Sequence, residues 1–228
     1  MNKYIILILI LIFNSSSFAS NKVSNLISPV SYFINHIKQF QLLDNNLKKH
    51  NKASLVGVSG IGKTQLARMY AYENSSNYDL IWLIDSNLDI DQELLALAQA
   101  INQSATEQLI PEDILKVRKG VKDYLSHRNR WLLVFDNNKT NNNEQLREFI
   151  EWENNGHLIF CSQDSEILPQ VIKLGQFKRK DSVKLAETLL KQQVGEAVDF
   201  LVEEYKGYPV LIVQGAQVLT NLKGLSYK

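Results

Sequence analysis

From residue 52 onward, short unbroken apolar runs alternate with longer stretches of helical spacing. Residues 53–58, Ala-Ser-Leu-Val-Gly-Val, make the first run and lead into glycine-rich sequence. Residues 80–84, 130–136 and 157–161 make the next three, and residues 171–174 a fifth. The 130–136 run, Arg-Trp-Leu-Leu-Val-Phe-Asp, shows no polar alternation in its middle, the mark of a strand buried on both faces. Helices are predicted between the runs, over 64–73, 92–101, 111–127 and 144–153. The second of these carries Leu94, Leu95, Leu97, Ala98 and Ile101 at helical spacing. The third opens on Pro111-Glu-Asp, a helix-start signature, and sets Ile114, Val117, Val121, Tyr124 and Leu125 on one face. The fourth does the same with Leu146, Phe149 and Ile150. Strand, helix and strand in repetition predict an α/β fold: a five-stranded parallel sheet with helices on both faces. After about residue 178 the strands stop, and residues 181–193, 196–205 and 209–219 read as three helices, with Gly207 and Pro209 at the last junction. The organisation predicted is an α/β domain over 21–177 and a small helical subdomain over 178–228.

The first twenty residues stand apart. Lys3 precedes an apolar run from Tyr4 to Phe13, and small residues follow, ending in Ser17-Phe-Ala19. This layout fits a secretory signal peptide over 1–20. The run is short for a transmembrane helix. A short membrane anchor and an untranslated upstream extension are the competing readings. A working signal predicts export, including into a host cell, and no membrane association after cleavage; an unused one leaves the protein cytoplasmic.

Composition narrows the picture. A chain of 228 residues that is 45% hydrophobic can bury one ordinary core with a small annex. A net charge of +1 supplies no field to steer the protein to nucleic acid or acidic lipid. The basic run Lys178-Arg-Lys180 is short and lacks interleaved aromatics, so it reads as solvated surface ahead of a helix capped by Asp181 or Ser182. Cys161 is the only cysteine, which excludes an intrachain disulfide and a thiolate metal cluster. His36, His50, His127 and His157 are scattered, with no pair at metal-ligand spacing.

One motif carries chemistry. Gly57-Val-Ser-Gly-Ile-Gly-Lys-Thr64 matches G-x-x-x-x-G-K-[ST], behind a β run and ahead of the helical Gln65-Leu-Ala-Arg-Met-Tyr-Ala. Glycines let the backbone fold so that successive amide hydrogens face an anion. Lys63 adds a charge for the β and γ phosphates of a nucleotide, the Thr64 hydroxyl ligates magnesium, and the helix start adds its positive end. Asp136, at the tip of the third strand, is the candidate to complete the magnesium site beside Thr64. Asn137 follows it, and an amide cannot accept a proton from water as a carboxylate can. Slow turnover is therefore expected.

With these parts placed, residues 29–220 resemble the NB-ARC domain of STAND nucleotide switches, especially bacterial forms followed by tetratricopeptide repeats. Ser59-Gly-Ile-Gly-Lys-Thr-Gln-Leu-Ala67 is similar to the family's P-loop, and Trp131-Leu-Leu-Val-Phe-Asp-Asn137 to its second motif. Gly156-His-Leu-Ile-Phe-Cys-Ser-Gln-Asp164 stands where the family has a strand ending in Thr-Thr-Arg or Thr-Ser-Arg. Gly207-Tyr-Pro-Val210, with Gln214-Gly-Ala216 after it, is similar to the Gly-Leu-Pro-Leu motif. The resemblance implies an ADP/ATP switch with magnesium, in which Gly57, Ser59, Gly60, Ile61, Gly62, Lys63, Thr64 and Gln65 hold phosphate and Pro209 packs near the adenine. Gln163 stands where the family's γ-phosphate-sensing arginine would be, and it carries no charge. Tyr32-Phe-Ile-Asn-His36 replaces a Gly-Arg segment, leaving Ile34 as the adenine contact. The family continues into a winged-helix region and a repeat array, so the resemblance also implies a truncated chain and a protein partner that carries the sensor.

Three functions stay open. The first is a nucleotide-binding switch module with slow or no hydrolysis. The second is an active P-loop ATPase, which needs a water-activating acid and an arginine finger; Arg128, Arg130 and Arg147 are available but not distinguished by spacing. The third is a secreted interaction protein that keeps the fold without turnover.

Overall fold

A computed structural model describes residues 22–34, 37–138, 143–163, 168–191 and 195–225. Six strands form one sheet: β1 (Val23–Ser24), β2 (Lys52–Val56), β3 (Leu80–Asp85), β4 (Trp131–Asn138), β5 (His157–Ser162) and β6 (Val171–Lys173). Every pairing is parallel and the order is β1-β3-β4-β5-β2-β6. The helices are α1 (Ile37–His50), α2 (Lys63–Glu73), α3 (Ile90–Gln103), α4 (Val117–Ser126), α5 (Asn143–Ile150), α6 (Arg179–Leu190), α7 (Glu196–Tyr205) and α8 (Pro209–Leu225).

The unbroken apolar character of β4 has the expected cause. Trp131, Leu133 and Phe135 point into a core shared with Leu94, Leu97, Val121, Leu125 and Phe149 from α3, α4 and α5. Leu132 and Val134 point the other way, into a core with Leu43, Leu47, Leu66 and Tyr70 from α1 and α2. Helices on both faces remove the side chains of residues 131–135 from water, which is what a parallel sheet requires. The third core joins α6, α7 and α8 through Leu185, Ala186, Val198, Leu201, Val202, Ile212 and Ala216, and Ile34 reaches into it from the N-terminal side.

Four expectations need correction. The sheet has a sixth strand, β1, whose two residues pair with Leu80 and Ile81 of β3; two residues leave no pattern to read. Helix α1 was not anticipated, because only Leu43 and Leu47 of its fourteen residues are buried and the rest is largely polar. Helix α4 begins at Val117 rather than Pro111. The Asp113 side chain accepts from the Leu115 amide at 2.9 Å, a local turn that competes with helix. Ile114 and Leu115 are 37% and 90% exposed there, so Ile114 does not share the buried face of α4. Finally, α6 starts from Lys178 with no side-chain cap; Asp181 lies in the first turn, where its charge favours the helix dipole, and Ser182 is buried further in.

Candidate functional site

The glycine-rich segment joins β2 to α2 and lies between β5 and the last helix. Gly57 donates its amide to the Ser162 carbonyl at 3.2 Å, and a β-carbon there would stand 2.6 Å from the Leu174 carbonyl oxygen. Only glycine lets the loop leave the sheet this close to β6. Gly60 and Gly62 have φ of 74° and 105°, the left-handed region that disfavours side chains. Gly62 ends the loop with open space where a β-carbon would be, and its carbonyl accepts from Leu66 to begin α2. A β-carbon on Gly60 would instead meet Val210 Cγ1 of α8 at 2.3 Å. The loop and α8 are thus in direct contact.

The charged groups converge at the mouth of α2. Lys63 Nζ donates to the Gly57 and Val58 carbonyls at 2.8 and 3.0 Å, folding back over the loop. Partial burial lowers its pKa below the ordinary lysine value, with Cys161 and Asp136 opposing that shift. An incoming phosphate would supply the counter-charge this ammonium lacks. Thr64 Oγ1 donates to Asp136 Oδ1 at 2.9 Å, across from α2 to β4. Asp136 is 9% exposed, and its Oδ1 also accepts from the Asn137 amide at 2.9 Å. A hydroxyl beside a carboxylate at a helix start is an oxygen donor set of the kind magnesium takes.

Beyond the loop opens a cleft of about 460 Å³. Ser59, Gly60, Ile61, Gly62, Lys63, Thr64 and Gln65 line one side. Ile61 contributes backbone, since its side chain is buried in the core under α2. Among the described residues, Gln65 Oε1 is buried without a hydrogen-bond partner. The opposite wall is apolar, made by Ile34, Pro209, Val213 and Phe177, and suits a flat heterocycle. Gln163 lies exposed at the end of β5 and also lines the cleft. Gly57 and Asp136 do not line it: Gly57 sets the loop's exit and Asp136 stands behind Thr64, bonded to its hydroxyl. His36 and Asp164 of the quoted segments, and residues 1–20, lie outside the described residues.

Sequence reasoning missed several members of this site. Phe177 and Val213 complete the apolar wall, and Asn87 and Asn138 line the polar side. Asp85 ends β3 and is paired in register with Asp136 of β4. A second apolar run ending in an acid was a signal that could have been read.

A parallel sheet with a glycine-rich loop between a central strand and its helix, and with a hydroxyl from that helix on an acid of a nearby strand, defines a P-loop NTPase fold. The NB-ARC domain matches residues 32–197, and the chain belongs to that family. Solved structures agree on the fold. The Walker-type ATPase of Pyrococcus abyssi superposes with TM-score 0.60 at 17% identity, covering 83% of this chain and 68% of that one. A STAND protein with a tetratricopeptide repeat sensor from Pyrococcus horikoshii gives TM-score 0.59 at 14% identity, covering 82% of this chain and 30% of that one. Cdc6p from Pyrobaculum aerophilum gives TM-score 0.57 at 14% identity over 80% of this chain and 59% of that one. No curated protein matches the sequence. Family and fold support a nucleotide-binding module.

Proposed function

We propose that the protein is an ADP/ATP-binding switch module with slow or no hydrolysis. The observation that carries this reading is the cleft itself, with loop amides, Lys63 and Thr64 on one wall and Ile34, Pro209 and Phe177 on the other. Diphosphate would lie on Gly60, Ile61, Gly62 and Lys63, with Ser59, Thr64 and Gln65 alongside, and the base against Ile34 and Pro209. Magnesium, when bound, neutralises phosphate charge, and Thr64 with Asp136 are the residues to hold it. Gln163 would contact the terminal phosphate only as a neutral donor, so discrimination between ADP and ATP is weak in this reading. In this reading the nucleotide bridges residues 21–177 and 178–228, which also touch directly where Val210 packs on Gly60.

A switch needs an input. The similar Pyrococcus horikoshii protein is described with a tetratricopeptide repeat sensor, and a protein partner of that kind would bias the two halves here. If residues 1–20 direct export, the site works where nucleotide is supplied, as inside a host cell; otherwise it works in the cytoplasm. Calorimetric titration of the purified protein with ADP tests the reading, with Lys63→Ala as control. A charge-assisted hydrogen bond contributes about 1.5–3 kcal/mol, so the substitution should weaken ADP about 10–100-fold. Equal affinities would remove the basis of the proposal.

A further inference from the structure

The cleft presents a chemical gap. Among the described residues, none of its lining side chains is a carboxylate. Asp136 is committed to the Thr64 hydroxyl, and the residue after it, Asn137, cannot serve as a base. One other acid stands directly behind the cleft rim. Asp85 is the last residue of β3, its Cα paired with that of Asp136. Its Oδ1 accepts from Asn137 Nδ2 and from the Asn87 amide, each at 3.0 Å, and both asparagines line the cleft. Among the described residues, its Oδ2 carries no hydrogen bond.

The backbone of Asn137 adds a second, independent observation. Its φ is 60°, a left-handed conformation that asparagine tolerates but that still costs free energy. That conformation turns its amide group across to β3 instead of along β4. The arrangement ties the Asp85 carboxylate to two asparagines that line the cleft, and Asp85 stands behind them.

Resting on the nucleotide-binding reading, we propose that Asp85 is the general base of a slow ATP hydrolysis and that Asn137 is its positioning residue. Asp85 Oδ2 takes a proton from a water in the cleft. The water oxygen forms a bond to the γ-phosphorus, and the bond from that phosphorus to the β–γ bridging oxygen breaks. The electron pair leaves on the β-phosphate of ADP, and the proton on Asp85 returns to solvent. Turnover is slow because the acid lies one strand beyond Asp136, behind the residues that line the cleft.

Asp85→Asn separates this role from a structural one. The amide oxygen still accepts from Asn87 and Asn137, so the turn survives, but the side chain can no longer take a proton. Single-turnover release of phosphate from γ-labelled ATP, with protein in excess, is compared in wild type, Asp85→Asn, Asp85→Glu and Lys63→Ala, alongside ADP affinity and thermal midpoint. The wild type should release phosphate above the protein-free control. Asp85→Asn should lose about 100-fold or more, as removal of a general base does, with ADP affinity held within about threefold. Asp85→Glu should recover part of the lost rate. Phosphate release by Asp85→Asn at the wild-type rate overturns the assignment, as does a wild type no faster than the control. A loss matched by equal falls in ADP affinity and thermal midpoint also overturns it, marking Asp85 as structural. Failure of the wild type to bind ADP is distinct and refutes the underlying nucleotide reading instead.

Discussion

Replacing Gly60 with alanine should separate the glycine-rich loop from α8. The residue sits at φ 74°, where a side chain costs about 1–2 kcal/mol. Its new methyl would also stand 2.3 Å from Val210 Cγ1 and 2.9 Å from Val210 Cβ. Forcing an extra carbon into such a contact costs about 1–3 kcal/mol. Together these predict a loss of about 2–5 kcal/mol, a large fraction of the stability of an ordinary domain. Val210→Ala alone should cost under about 1 kcal/mol, because Val210 is already 37% exposed. The double variant should recover about 1–2 kcal/mol relative to additivity, since the Cγ1 clash is gone while the 2.9 Å approach of the residue-210 Cβ and the backbone strain remain. Urea denaturation of all four proteins measures this, and ADP titration of the same set asks whether the seating of α8 also supports binding. Strict additivity would refute the claim that Gly60 is small because Val210 packs on it.

Two other outcomes follow from the site and its surroundings. Thr64→Val keeps the shape of the side chain but removes the hydroxyl on Asp136, so the gain in nucleotide affinity from magnesium should disappear while binding in EDTA stays within about threefold; an undiminished magnesium effect would count against Thr64 as a ligand. His157 tests the opposite end of the sheet, where its Nδ1 lies 2.6 Å from the Tyr78 hydroxyl. Burial holds its pKa below the ordinary value, against a smaller opposing effect of Asp44. The unfolded chain therefore takes up this proton more readily than the folded one. Stability should be full above about pH 6.5 and fall on acidification below it, until the folded imidazole also titrates. His157→Asn should flatten that part of the pH profile of the thermal midpoint; an unchanged slope would contradict it.

The parts of the fold legible in the sequence were those with a local cause. Runs such as Leu132-Leu-Val-Phe135 are buried on both faces, and burial on both faces writes itself as continuous hydrophobicity. The loop from Gly57 to Thr64 is spelled by backbone demands, visible as φ of 74° and 105° at Gly60 and Gly62. What escaped depends on distant partners. Helix α1 buries only Leu43 and Leu47, too thin a stripe to stand out among Lys, Asn and Gln. The start of α4 was displaced by a side-chain-to-backbone bond at Asp113 that helix-start rules do not weigh. The juxtaposition of Val210 with Gly60, and of Asp85 with Asn137, arises from sheet register and helix docking. No spacing along the chain encodes either. The structure brings the quoted loop, Ile34, Gln163 and Pro209 to one cleft, while Gly57 and Asp136 stand behind it.

The central claim is that the loop amides, Lys63 and Thr64 grip a pyrophosphate group. The most direct measurement is the affinity of the wild-type protein for ADP and for AMP under the same conditions with magnesium. AMP keeps the base and ribose but lacks the β-phosphate. Several charge-assisted hydrogen bonds, each worth about 1.5–3 kcal/mol, should make ADP the tighter ligand by about 100-fold or more. Equal binding of the two, or tighter binding of AMP, would contradict the account.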